Sequence, residues 1–386
     1  MQKILRFSLC FFLIVSLSFT ALAQERQRRG DGQGGRGGQA DRGDYFTYSV
    51  SPSKALKCNL FQRVQSLPEW NVFFNTLTSK IDAQYVAASN LPIFPSDLAD
   101  DLLDKLRDAT GKRNVTSKDV LGLFFEQTDL VQLEINAKKA YDSGAESIPK
   151  FTTLSFVFKF NPAELSCVLD PLTEGTHYRF IKSDPDNFLI AFTLPFNQQK
   201  VYVQGVKLAK HNRYALVISG DQALVERKVG QFQNSDRLIQ LALDDKSPIE
   251  TIRIGSGVIG ILKAEVQNRL NLDAGQRSML KVLDGIESIR ITTGDESNRT
   301  LTRVELQMTN AEAAQKLRGL AEMGIAGLDF IRNSDIDPLA KKGIDFLSTA
   351  DARETERGFV VELNCSQRAF TDLVAAFLKA ATEKIK

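Results

Sequence analysis

FTTLSFVFKFNPAELSCVL, Phe151–Leu169, carries both periodicities of this chain in one stretch. Its first half alternates, with Leu154, Phe156, Phe158 and Phe160 set against Ser155, Val157 and Lys159, which predicts a strand. Its second half predicts a helix: Asn161 stands at the cap, Pro162 at the first helical position and Glu164 three residues after the cap. The join between the two is abrupt, so the chain leaves a sheet and enters a helix within a few residues.

The same join recurs. It reads Val50-Ser-Pro-Ser-Lys-Ala55, Phe160-Asn-Pro-Ala-Glu-Leu165, Ile218-Ser-Gly-Asp-Gln-Ala223, Met308-Thr-Asn-Ala-Glu-Ala313 and Leu363-Asn-Cys-Ser-Gln-Arg368. Each has an apolar strand end, a capping side chain, two variable residues and then Glu, Gln or Lys. Ser51, Asn161, Ser219, Thr309 and Asn364 are the expected caps, and four of the five joins fit a reciprocal clasp with the Glu or Gln three residues on. A strand pair precedes at least three of the joins, so the implied unit is a hairpin followed by a helix laid on the sheet. The irregular spacing excludes a solenoid and favours two duplicated halves. This layout resembles a family of exported bacterial proteins of unknown function built from repeated strand-and-helix units. The resemblance spans most of the chain and brings no catalytic residues with it.

Around these joins the alternation predicts strands at Tyr45–Val50, Leu130–Ile135, His177–Ile181, Phe188–Leu194, Val201–Leu208 and Tyr214–Ser219. Further strands are expected at Ile249–Ile254, Ile286–Thr292, Leu301–Met308, Thr349–Thr355 and Phe359–Leu363. Short loops between them imply antiparallel pairing. Asn136–Lys150 reads as a polar loop, and helices are expected near residues 52, 68, 96, 117, 221, 236, 310, 338 and over the C-terminus. The fold class is α+β: antiparallel sheets with helices packed on one face, in two duplicated halves. Ser247-Pro248 marks the boundary between a first α+β domain at 45–246 and a second at 247–386.

Residues 1–23 read as a signal peptide. Lys3 and Arg6 open it, Phe7–Thr20 is apolar, and Ala21-Leu22-Ala23 is a small-residue cleavage site, giving Gln24 as the mature start. No later segment is long and apolar enough to span a bilayer. Residues 24–44 are Gly/Arg-rich with no apolar periodicity and read as a disordered tether. Arg29-Gly30-Asp31 and Arg42-Gly43-Asp44 fall within it, and its composition alone explains them. Removing the signal takes the formal charge from +2 to zero, which disfavours nucleic-acid and anionic-membrane binding. Three cysteines remain, Cys58, Cys167 and Cys365. They allow one disulfide in an oxidising compartment, with Cys58–Cys167 the first pairing to consider and three buried thiols the alternative.

The chemistry-bearing residues do not cluster. Gly255-Ser256-Gly257-Val258-Ile259-Gly260 follows a strand and opens a helix, as a dinucleotide fingerprint does. The surrounding pattern is not an alternating parallel one, however, and the acidic residue expected about 20 positions on is missing. A tight turn with close helix packing is the expectation there. His177 and His211 lack zinc-ligand spacing and no nucleophile elbow is present. Asp184, Asp186 and Asn187 read as a solvated turn rather than a calcium loop. Asp100-Asp101 and Asp244-Asp245 read as polar helix faces or ends. Asn114, Asn298 and Asn364 match glycosylation acceptors, which matter only on a eukaryotic route. No catalytic, cofactor or metal residue is assigned. The expectation is a periplasmic or extracellular non-enzymatic protein that binds a protein or envelope component. The alternatives are a secreted hydrolase with a dispersed site, or a carrier of an apolar ligand.

Overall fold

The computed structural model describes residues 42–89, 122, 125–159, 178–184, 186–193, 199–234, 239–240, 243–244, 248–269, 280–296, 299–319, 322, 338–356 and 358–385. Twelve strands form a single sheet. They are β1 (Tyr45–Val50), β2 (Thr128–Asn136), β3 (Thr152–Phe158), β4 (Tyr178–Asp184), β5 (Asn187–Thr193) and β6 (Lys200–Leu208). The rest are β7 (Arg213–Ser219), β8 (Glu250–Gly255), β9 (Ile286–Glu296), β10 (Arg299–Met308), β11 (Ala350–Thr355) and β12 (Gly358–Ser366). Each matches a strand expected from alternation, and every pairing is antiparallel. The described helices are α1 (Pro52–Lys57), α2 (Asn59–Gln65), α3 (Pro68–Ser89), α4 (Ala137–Ser143), α5 (Gln222–Asn234) and α6 (Ser256–Arg269). They continue with α7 (311–319), α8 (Pro338–Leu347) and α9 (Gln367–Ile385). The helices expected near residues 96 and 161 lie outside the described residues.

The strand order is β11-β12-β10-β9-β8-β1-β2-β3-β7-β6-β5-β4. Its centre is the pairing of β1 with β8, so strands from both sides of the expected boundary share one sheet. Outward from that junction the order on one side is β1-β2-β3-β7-β6, and on the other β8-β9-β10-β12-β11. The two sequences of strands correspond one to one, and the β4–β5 hairpin is added beyond β6 in the first half alone. The joins correspond as well. The join from β1 into α1 matches that from β8 into α6, and the join from β7 into α5 matches that from β12 into α9, while the join expected after β3 lies outside the described residues. The glycine loop at Gly255–Gly257 is therefore a sixth join, which the capping pattern missed because it carries no polar cap before Ser256.

The caps themselves differ from expectation. Ser51 makes no side-chain cap bond. Over α5 the cap is Asp221, whose Oδ1 accepts from the amides of Ala223 at 2.8 Å and Leu224 at 3.2 Å. Over α7 it is Asn310, accepting from Ala313 at 2.8 Å, and over α9 it is Ser366, accepting from Ala369 at 3.2 Å. Each lies one or two residues beyond the expected cap, because the strand or its bend runs further before the helix turns. The residues three places on are then Leu224, Ala313 and Ala369, so no reciprocal carboxylate is in position. Asn161 lies outside the described residues. The expected polar loop 136–150 is also different: Asn136 caps α4 through Lys139 N at 3.0 Å, and Ala145–Phe151 forms a 3-10 turn.

Register fixes which side chains share a face. One row runs across all twelve strands on the first face. It reads Phe180, Ile190, Val203, Ile218, Leu154, Leu133, Tyr48, Ile252, Ile291, Val304, Val361 and Ala352. In the first half this face is buried in a Phe-rich core with Phe156, Phe158, Phe188, Ala140 and Ile148. In the second half Ile259 of α6 and Ala314 of α7 close it over Ile286 and Met308. The second face of the first half has its own core, where Val225, Val229 and Phe232 of α5 cover Val157, Val217, Leu189 and Val206. Helices thus lie on both faces of this half. Burying both faces explains why β3 is buried at every position.

Candidate functional site on the polar belt of the sheet

Two rows on the second face, flanking the apolar row, are polar over most of the sheet. One reads Ser219, Thr153, Glu134, Thr47, Arg253, Arg290 and Glu305, and then, past Val360, Arg353. The other reads Gln204, Val217, Ser155, Gln132, Ser49, Thr251, Thr292, Arg303, Glu362 and Asp351. Alternation within each strand predicts polar residues opposite the core. Only the strand order shows that they line up into a belt.

Toward β11 the belt is a ladder of ion pairs with alternating sign. Arg290 lies 3.6 Å from Glu305, and Arg303 lies 3.4 Å from Glu305 and 3.6 Å from Glu362. Arg353 then lies 3.4 Å from Glu362 and 2.9 Å from Asp351. The hydrogen bond to Asp351, with the charges of Glu362 and Asp351, raises the Arg353 pKa further above its ordinary range. Exposed pairs of this kind add little stability one by one.

Under α5 the belt is buried. Gln132, Ser155 and Gln204 are all at most 7% exposed, and each keeps one oxygen without a hydrogen-bond partner. Gln132 donates to Ser49 Oγ at 3.1 Å and Gln204 donates to Asn187 Oδ1 at 2.9 Å. Lys228 of α5 is 4% exposed, and its Nζ meets Glu134 Oε2 at 3.0 Å with the Phe232 ring 5.9 Å away. A small cavity of about 70 Å³ opens beside this pair. Tyr45, Glu134, Asn136, Lys139, Leu224 and Arg227 are among its walls. Neither the Lys139 ammonium nor the Arg227 guanidinium has an ion-pair partner among the described residues. The cavity is far below the several hundred Å³ of a nucleotide-sized pocket.

A second charged centre lies where β2 begins. Asp129 is buried and accepts from Ser53 Oγ at 2.9 Å and from Arg213 Nε at 2.6 Å, with Lys159 3.5 Å away. These contacts tie the first turn of α1 to β2, to β7 and to the residue that follows β3. On the first face, burial and then the charge of Glu250 push the Tyr48 phenol well above the usual tyrosine range.

The residues singled out from sequence are scattered. Gly255 ends β8 and Ser256 opens α6, as a phosphate loop would have it, yet the space is filled by the chain itself. A side chain at Gly255 would overlap the Gly43 carbonyl, and one at Gly257 would overlap the Asp44 carboxylate. Arg42–Asp44, expected to belong to the tether, is a 3-10 turn packed on α6, so the second RGD lies against the helix. His211 sits in the 3-10 turn between β6 and β7, and His177 lies outside the described residues. Asp184 Oδ1 accepts from Asp186 N at 3.0 Å and Lys207 lies 3.6 Å from Asp186, as in a hairpin turn. The Asp244 carbonyl accepts from Lys54 Nζ at 2.5 Å, while Asp100, Asp101 and Asp245 lie outside the described residues. Cys58 is half-buried at the end of α1, and its expected partner Cys167 lies outside the described residues. Among the described residues no group of His, Cys, Asp and Glu is placed to hold a metal ion. Among them, too, no helix is long and apolar enough to cross a membrane.

No protein-family model matches the chain, and no curated protein matches it. Solved structures that align with it include three crystal forms of TP0453. Form III is 11% identical with a TM-score of 0.37, covering 86% of this chain and 94% of that one. Form IV is 10% identical with a TM-score of 0.38, and form I is 10% identical with a TM-score of 0.34. Each of these two covers 86% of this chain and 93% of the other. At this level of superposition nothing about the role of the present chain follows.

Proposed function

We propose that this chain is an exported, non-catalytic binding component of the cell envelope or extracellular space, working through the polar belt. The observation that carries the reading is the ladder itself: Arg290, Glu305, Arg303, Glu362, Arg353 and Asp351 alternate in sign across four strands, with Arg303 and Arg353 45% and 65% exposed. Alternating charge suits a protein surface of matching pattern. It does not suit a polyanion, which needs an excess of one sign. The leader at 1–23 supplies export, and the segment 24–41 supplies reach between the cleavage point and the ordered chain. The repeated strand order supports an origin by duplication of a half-sheet.

The test has two parts. Cells making the full chain are fractionated, and the expected product starts at Gln24 and is found outside the cytoplasm. Cross-linking on intact cells then compares wild type with the paired exchange R303E/E305R, which keeps the net charge and the opposite signs at 303 and 305 and inverts the outward pattern there, setting like charges against Arg290 and Glu362. Loss of the wild-type adducts supports the reading. An unprocessed cytoplasmic chain, or adducts indifferent to the exchange, contradicts it.

A further inference from the structure

Among the described residues the belt stops at a sheet edge. β11 is the last strand on its side, and it is exposed along most of its length: Asp351 and Arg353 have side chains 61% and 65% exposed, and Glu354 55%. The opposite edge, β4, is interrupted by a register shift between Phe180 and Lys182, a device that bends an edge away from pairing. β11 shows no such shift against β12. Charges on an edge usually discourage pairing because a like strand brings like charges together. Here the order is Ala350, Asp351, Ala352, Arg353, Glu354, which is self-complementary in one arrangement alone. With a two-fold axis at Ala352, Asp351 faces Arg353 of a second copy, and Arg353 faces Asp351. A slip by two residues brings the central Asp351 or Arg353 opposite its own equivalent, which is unfavourable.

We propose that β11 pairs antiparallel with β11 of a second copy of this chain, in the register centred on Ala352. The contact is isologous, as a two-fold dimer requires. Both belts then join. Glu362 and Arg353 of one copy continue into Asp351 and Arg353 of the other, so the alternation of sign passes through the axis. The outward amides and carbonyls of β11, which pair with no other described strand, gain partners by β-augmentation, while the alternating charges select the register. The chain already contains this geometry once, at its own centre, where the edge strands β1 and β8 of the two halves pair antiparallel. A six-residue strand pair buries a small area, so the dimer is a weak, concentration-dependent one that weakens with salt.

Sedimentation velocity of the purified protein across a concentration series tests this. Wild type is expected to shift from monomer toward dimer as concentration rises. R353D and D351R, each alone, place like charges at both contacts and are expected to lose dimerisation at least tenfold. An equimolar mixture of the two is expected to dimerise again, since the copy with two arginines meets the copy with two aspartates. That recovery also shows that both variants are folded. The exchange D351R/R353D, which leaves an arginine opposite Glu362, is expected to dimerise as wild type does. Wild type that stays monomeric at every concentration, single variants that dimerise normally, or a mixture that fails to recover would each overturn the proposal.

Discussion

Gly255 and Gly257 show how one missing methyl group can organise a molecule. Their bare backbone lets Gly43 and Asp44 lie on the first turn of α6, where a carboxylate is favoured by the free amides. G257A is expected to loosen residues 42–44, whereas G260A, with open space around its Cβ, is a neutral control. Trypsin cleavage after Arg42 reads the difference: faster in G257A, unchanged in G260A. Equal rates in both would show that the turn does not depend on the cradle. Tyr48 gives a second residue-scale test. Its phenol is held protonated by burial and by Glu250, so its folded pKa lies above the ordinary value near 10. The unfolded chain therefore loses this proton first, and stability is complete below pH 10 and falls above it. The slope reaches about 1.4 kcal/mol per pH unit from this one group. Urea melts between pH 9 and 11 are expected to show this fall in wild type and a shallower one in Y48F. Lys228 is the third. K228M strands Glu134 beside the cavity and is expected to cost roughly 1–3 kcal/mol by urea denaturation, with E134Q/K228M recovering part of the loss.

The elements of this fold were largely legible because each strand carries its alternation locally. Leu154, Phe156 and Phe158, or Val201 and Val203, declare a buried face within one short window, and all twelve strands follow from such windows. The ends of the elements were less legible. Ser51, Ser219, Thr309 and Asn364 have the chemistry of caps, but Asp221, Asn310 and Ser366 hold the amides, because pairing with neighbouring strands decides where a strand stops. D221A, N310A and S366A are each expected to cost on the order of 1 kcal/mol in a thermal or urea melt. The same changes at Ser51 and Thr309 are expected to cost much less, and an equal cost would show that these two residues cap their helices after all. The α4 helix was missed because Ala137–Ser143 is polar and short, so its pattern resembles a loop.

At the scale of the whole molecule the sequence was silent on what matters most. Nothing local pairs β1 with β8 across roughly 200 residues of chain, and without that pairing neither the repeated order nor the belt exists. Arg290, Arg303, Glu305 and Glu362 read as ordinary outward charges on separate strands. Only their neighbours across the sheet make them a ladder. The glycine loop likewise read as a cofactor look-alike or a tight turn until its place in the strand order made it the counterpart of the β1 join. The central claim is therefore the edge-to-edge union of two like half-sheets at β1 and β8. A cysteine pair tests it most directly. The register places Ser49 directly opposite Thr251, while Glu250, one step along, points to the other face. S49C/T251C is expected to form a disulfide readily under mild oxidant, with the fold retained, and S49C/E250C is not. A bond that fails to form between 49 and 251, or one that forms equally well between 49 and 250, would contradict the account.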